Sequence, residues 1–344
     1  MMRLVDVSGF VAALNEVPGI DVRSPVEYCH GHIPGVHSLP LFSDEDRAVV
    51  GTLYKHEGRD AAVHEGLRRV GPRLADIVLA ARDLAPLGRI AVHCWRGGER
   101  SRSVAWLLDK AGLQEVLVLR GGYKAFRHQV LQHFDLPLDL RVLGGYTGSG
   151  KTEVLHQLRG TGAQVIDLEA LANHKGSSFG ALGELPQPSS EHFENMLWHA
   201  LQQLDPTRPV WVEDESLMIG RVRIPAPFFE RMRNAPMFFL EIPIEKRADR
   251  LVAHYGHFLK NELAEAIRRI ARRLGPQHCK AALEALDLGD MRTVALITLR
   301  YYDKAYARGS ALRKAGSVTH VPARSADIRT LAAHIRSHER SPSR

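Results

Sequence analysis

Cys94 is the residue of this chain best placed to do chemistry. It stands in His93-Cys94-Trp95-Arg96-Gly97-Gly98-Glu99-Arg100-Ser101, after a short apolar run and before a helical pattern. Two glycines permit a tight curl whose backbone N–H groups converge on one point, and the start of a helix adds positive potential there. Arg96 and Arg100 lie on the same loop, with Arg102 just beyond. All of these favour a thiolate, so Cys94 is the expected nucleophile, with Arg96 and Arg100 as its catalytic partners. Cys29 and Cys279 have no such setting and read as structural.

A second chemistry is written in Gly145-Tyr146-Thr147-Gly148-Ser149-Gly150-Lys151-Thr152, which satisfies G-x-x-x-x-G-K-[ST]. Its glycines let backbone N–H groups surround a phosphate chain. The expected phosphate ligands are Gly145, Gly148, Ser149, Gly150, Lys151 and Thr152, with Lys151 as a point charge and Thr152 as a ligand for Mg²⁺. Val210-Trp211-Val212 runs into Glu213-Asp214-Glu215, acids that could hold the same ion; Asp214 is the first choice, Glu213 and Glu215 the alternates. A polar stretch with Asp167, His174, Lys175, Ser177 and Ser178 is a candidate substrate loop. Loop chemistry alone leaves a plain structural turn equally open.

Elements must position both groups. Short apolar runs at 19–23, 89–93 and 116–119 read as strands, with helical stretches at 63–84 and 101–111. A second alternation begins near Leu140: strands at 141–145, 164–166, 210–212 and 237–242, a helix at 152–159, then a largely helical pattern to about Tyr306. The fold class is therefore α/β: a parallel-sheet domain over 1–135, then a P-loop NTPase-like α/β domain over 136–344 with a mostly helical C-terminal part. Asp135-Leu136-Pro137-Leu138-Asp139 is the expected link, and the tail after Ala323 carries no recognisable signal.

With 344 residues, 44% apolar, the chain can bury two cores and has no composition of disorder. Three cysteines are too few for a disulfide framework, which suits a reducing cytoplasm. No run approaches the roughly 20 apolar residues of a membrane span, so no membrane partner is expected.

The net charge is +7, and residues 246–314 hold fifteen Lys and Arg against seven Asp and Glu. Arg268, Arg269, Arg272 and Arg273 fall along one side of a helix and could attract a polyanion such as RNA. A solvated helix face explains the same stripe equally well.

Asp21-Val22-Arg23-Ser24-Pro25-Val26-Glu27-Tyr28 and Gly31-His32-Ile33-Pro34-Gly35-Val36 resemble the opening signature of rhodanese domains, and the Cys94 loop resembles their active-site loop. Asp21, Arg23 and His32 then read as holding the fold and the loop. As His-Cys-x5-Arg, the loop is also similar to that of cysteine phosphatases, which would need an acid; Glu99 is a weak candidate.

Cys-Trp-Arg-Gly-Gly, Thr-Gly-Ser-Gly-Lys-Thr, His174-Lys175-Gly176-Ser177-Ser178-Phe179-Gly180 and Glu213-Asp214-Glu215-Ser216, in that order, resemble the tRNA 2-selenouridine synthases from about Asp6 to about Arg308. That resemblance implies an enzyme that turns wobble 2-thiouridine of tRNA into 2-selenouridine through an S-geranyl intermediate. Geranyl diphosphate and selenophosphate would be its substrates and tRNA its partner, with Mg²⁺ the cofactor that Thr152 and the strand-end acids could hold. The P-loop would bind diphosphate, and Cys94 would serve the selenium step. A nucleotide-hydrolysing or phosphotransfer enzyme with a rhodanese module, and a cysteine phosphatase, are the alternatives.

Overall fold

The computed structural model describes residues 1–135, 137–310, 313–314, 316–322 and 327–339. They fall into two compact units: one takes Met1–Phe134 with Glu194–His199, and the other takes the remainder.

The first unit runs β1 (Met2–Val5), α1 (Val7–Ala13), β2 (Gly19–Asp21), α2 (Pro25–His30), β3 (Val36–Ser38), α3 (Asp44–His56), α4 (Arg59–Val70), α5 (Leu74–Leu84), β4 (Arg89–His93), α6 (Glu99–Lys110), β5 (Glu115–Leu119) and α7 (Gly122–His133). Its five strands pair in the order β1-β5-β4-β2-β3, every pair parallel. A central parallel strand is covered on both faces, so β4 needs a continuous apolar run, and Ile90, Ala91 and Val92 are fully buried. The stretch expected as one helix over 63–84 is two, α4 and α5. Gly71-Pro72-Arg73 forms a 3₁₀ turn between them, because proline has no N–H to continue the ladder.

Two buried charges brace the strand ends of this unit. The Asp21 carboxylate accepts bonds from Arg23 Nε (2.9 Å) and Nη2 (2.6 Å), and Nη2 also donates to the Gly31 carbonyl at 2.6 Å. The Arg23 guanidinium lies over the Tyr123 ring, 3.8 Å from its centroid. Burial alone would raise the Asp21 carboxyl, but the charges of His93 and Arg23 outweigh it and hold it below the usual range. Arg23→Ala strands a buried carboxylate and is expected to destabilise the fold by about 3–5 kcal/mol. A urea midpoint unchanged from the parent protein would rule that role out.

The second unit runs β6 (Leu140–Gly145), α8 (Lys151–Gly160), β7 (Gln164–Ile166), α9 (Leu168–Ala172), α10 (Ser190–Gln202) apart from its Glu194–His199 stretch, β8 (Val210–Glu213), β9 (Met218–Ile219), β10 (Val222–Arg223), α11 (Ala226–Asn234), β11 (Met237–Glu241), α12 (Ile244–Tyr255), α13 (Lys260–Leu274), α14 (Pro276–Asp287), α15 (Met291–Ser310), β12 (Val318–Pro322) and α16 (Ile328–Glu339). Its main sheet is parallel in the order β12-β11-β6-β8-β7, with β9 and β10 a separate antiparallel pair. The mostly helical part expected beyond Pro243 is α12 to α15. The tail, where no signal was expected, contains α16, and the segment just before it is the edge strand β12. Ile328, Leu331, Ala332 and Ile335 recur at helical spacing and close the core over Leu155 and Leu158 of α8. Among the described residues no helix is long and apolar enough to cross a membrane.

Candidate catalytic loop and phosphate cavity

The Cys94 loop rests on a second glycine turn. Gly97 and Gly122 both have positive φ (63° and 60°). A Cβ on Gly122 would stand 2.3 Å from the Cys94 carbonyl oxygen and 2.4 Å from the Gly97 nitrogen. Only glycine lets the two backbones meet this closely. The first amides of α7 then bind the loop: Tyr123 N–H donates to the Cys94 carbonyl (2.8 Å) and Lys124 N–H to that of Trp95 (2.9 Å). The Cys94 side chain is buried, its Sγ 3.1 Å from the Ser101 hydroxyl on the first turn of α6. Ser101 was not singled out from sequence, and its place at the end of the loop was the available signal.

The two expected arginine partners part company. Arg100 donates to Glu27 of α2 at 2.7 Å, and Glu27 answers: burial would raise its carboxyl, yet Arg100 holds it below its ordinary value. Arg100 therefore ties α6 to α2. Arg96 is exposed on the loop. Glu99 is also exposed and pairs with Arg59 at 3.0 Å.

In the second unit β6 delivers the P-loop. Gly148 and Gly150 have φ of 77° and 82°, and Lys151 Nζ reaches back to the Gly145 carbonyl at 3.1 Å. The loop opens onto a cavity of about 1020 Å³. Gly148, Ser149, Gly150, Lys151, Thr152, Asp167, His174, Lys175, Ser177 and Asp214 all line it, whereas Gly145 and Ser178 do not. Ser178 instead ties the loop down: its Oγ donates to the Ala266 carbonyl (2.9 Å) and its N–H to the Tyr302 hydroxyl (3.0 Å). Asp167 caps α9 through Ala170 N–H and holds His156 at 2.8 Å, and Lys175 pairs with Glu184 at 2.8 Å. His174 is buried, and burial together with the Arg269 charge lowers its imidazole from the usual value.

The acid beside Thr152 is not the one first chosen. Asp214 is held by Tyr306 and by Arg313, each at 2.5 Å, so both its oxygens are engaged. Thr152 Oγ1 donates instead to Glu169 Oε2 at 3.1 Å, and Glu169 bonds in turn to the Glu215 side chain. Glu169 was missed because it opens a short helix rather than ending the acid-bearing strand. Arg250 was missed too; it lines the cavity and donates to the Gly148 carbonyl at 3.2 Å. Arg247 braces the loop from behind, bonding Thr147 O (3.2 Å) and Asp303 (2.8 and 2.7 Å).

Burial raises the carboxyls of Glu169, Glu213 and Glu215; the Asp167 charge adds to this at Glu169 and Glu213, and the Glu169 charge at Glu213 and Glu215, though Lys151 pulls Glu169 and Glu215 the other way. Thr152, Glu169 and Glu215 thus stand together as oxygen donors beside Lys151, although among the described residues no group of three or more His, Cys, Asp or Glu is placed to hold a metal ion. Without metal the unfolded chain loses these protons near the ordinary glutamate value of 4.5, while the folded chain keeps them to higher pH. Stability should therefore fall as pH rises above that value. Glu213→Gln is expected to flatten that fall, read as melting temperature between about pH 5 and pH 8 in chelator; an unaltered slope would refute it.

The four arginines expected to meet RNA, Arg268, Arg269, Arg272 and Arg273, are exposed on α13. Arg269 also holds the candidate substrate loop, donating to the Ser178 carbonyl at 2.8 Å.

A family model described as the tRNA 2-selenouridine synthase AAA domain matches residues 138–337. The chain belongs to the tRNA 2-selenouridine synthase family. A rhodanese-like domain model matches residues 10–129. The synthase of a Sulfurovum species is 37% identical over 329 residues, covering 85% of this chain and 88% of the relative. That of Shewanella loihica is 36% identical over 327 residues, covering 84% and 86%. That of Bdellovibrio bacteriovorus is 41% identical over 250 residues, covering 70% and 64%. As in the family, a rhodanese-like unit precedes a P-loop unit, and this chain is an enzyme.

Proposed function

We propose that this enzyme converts wobble 2-thiouridine of tRNA to 2-selenouridine in the cytoplasm through an S-geranyl intermediate, taking geranyl diphosphate and selenophosphate as substrates. What carries the reading is the pairing, in one member of this family, of a buried thiol on a glycine-braced loop with a large cavity headed by a P-loop. Sulfur on C2 of the base is a poor leaving group until alkylated. In the first step that sulfur attacks C1 of the geranyl chain, the C1–O bond breaks, diphosphate departs and N3 gives up its proton. In the second, the selenium of selenophosphate bonds to C2, the C2–S bond breaks and geranyl thiol leaves with a proton; water then cleaves the Se–P bond, releasing phosphate and returning a proton to N3.

Lys151 and the P-loop amides stabilise charge on the departing diphosphate. Thr152, Glu169 and Glu215 would hold Mg²⁺, which supplies further positive charge to the diphosphate oxygens. Cys94 serves the selenium step, as carrier or as the group that assists displacement, and Arg96 offers positive charge on its loop. Arg268, Arg272 and Arg273 contact tRNA phosphates. An Arg268→Ala, Arg272→Ala double variant should therefore weaken tRNA binding and lower the slope of log affinity against log salt by about 2. A slope unaltered in filter binding would remove these residues from the interface.

The decisive assay is mass spectrometry of nucleosides from 2-thiouridine tRNA incubated with protein, geranyl diphosphate, selenophosphate and Mg²⁺. Geranylated and then selenated uridine is expected. Thiouridine returned unchanged by a protein that still binds tRNA would sink the proposal.

A further inference from the structure

Beside the P-loop cavity lies a smaller annex, and the two share Thr147, Ser177, Leu251, Tyr255 and Tyr302 as common wall. Behind that mouth the walls are apolar: Phe179 from the candidate substrate loop, Leu263 from α13, and Val294 and Ala295 from α15. None of the residues lining the annex carries a charge or an amide side chain. Most of its polar side chains are already engaged. Thr298 Oγ1 donates to the Val294 and Ala295 carbonyls (2.9 and 3.0 Å), the Tyr302 hydroxyl accepts Ser178 N–H (3.0 Å), and Tyr255 bonds to Ser177. A nucleoside pushed into such a place would leave its base edges unpaired. An apolar group loses nothing there and leaves water.

Size narrows the occupant further. The annex offers about 40 Å³, well below the roughly 150 Å³ that accommodates a benzene ring. It can seat the branched tip of a chain, with the rest lying along Leu251, Tyr255 and Tyr302 towards the phosphates.

We propose that this annex seats the end of the donor's alkyl chain, and that Leu263, Val294 and Ala295 set the chain length the enzyme accepts. The proposal rests on the alkyl diphosphate reading above and adds to it the residues that measure the chain. Ala295→Leu fills the annex; Leu263→Ala deepens it.

Calorimetric titration of the full chain with Mg²⁺ and inorganic, dimethylallyl, geranyl or farnesyl diphosphate tests it. The parent protein should bind geranyl diphosphate more tightly than the inorganic or dimethylallyl form. Ala295→Leu should weaken geranyl diphosphate roughly tenfold, the effect of excluding one or two buried carbons, while inorganic diphosphate stays within about twofold, which also reports an intact fold. Leu263→Ala should move the preference towards farnesyl diphosphate. If the parent gains nothing from a chain, the donor reading itself fails, and the annex with it. If the parent gains and neither variant alters the gain, the annex alone is overturned.

Discussion

Lys151→Ala is expected to lower geranylation about 10²–10³-fold, the effect of removing one donor that stabilises a developing anion. The lysine sits at the first turn of α8, where Gly150 with φ 82° turns the chain into the helix, and its ammonium lies 3.1 Å from the Gly145 carbonyl. When diphosphate arrives, its oxygens offer a stronger partner than that carbonyl. The same variant, supplied with tRNA already S-geranylated, should still yield selenouridine. Mass spectrometry of both reactions checks the pair of outcomes. Equal loss in the two would mean that Lys151 acts on more than departing diphosphate. Full retention of geranylation would remove the P-loop from the chemistry.

Cys94→Ser should give the reciprocal pattern, abolishing selenouridine while S-geranyl tRNA accumulates. The hydroxyl is close in size to the thiol and keeps a group near Ser101 Oγ, so the loop should hold its shape. It is a far weaker nucleophile at neutral pH and does not carry selenium. A Cys94→Ser protein that still made selenouridine would refute the assigned role. Vigorous hydrolysis of an aryl phosphate by the parent protein, lost in Cys94→Ser, would instead favour the phosphatase alternative.

Much of this was legible in the residues themselves. The P-loop, the Cys94 loop and the strands that carry them are local patterns, in which glycine placement and apolar runs decide the backbone. What escaped depends on distant partners. Arg100 looks like a catalytic cation until Glu27, 73 positions away, is seen to hold it. Asp214 looks like the metal acid until Tyr306 and Arg313 arrive from 92 and 99 positions further along. Glu169 gains its meaning only through Thr152 and Glu215. The one-helix reading of 63–84 had a local cure in Pro72, and α16 had one in the spacing of Ile328, Leu331, Ala332 and Ile335. Annex walls from three separate elements leave no trace in any single stretch.

The near-contact between Gly122 and the Cys94 carbonyl bears on how the molecule opens as well as on what it catalyses. Tyr123 N–H and Lys124 N–H donate to the Cys94 and Trp95 carbonyls, so the curl around Cys94 and the head of α7 hold each other and should open together. Hydrogen exchange should therefore release the Tyr123 and Lys124 amides in a single event with the curl around Cys94, as one cooperative unit. The Cys94 thiol would then meet solvent oxidants chiefly in those brief openings. Its lifetime as a working group would be governed by the free energy of that unit rather than by the average exposure of the sulfur.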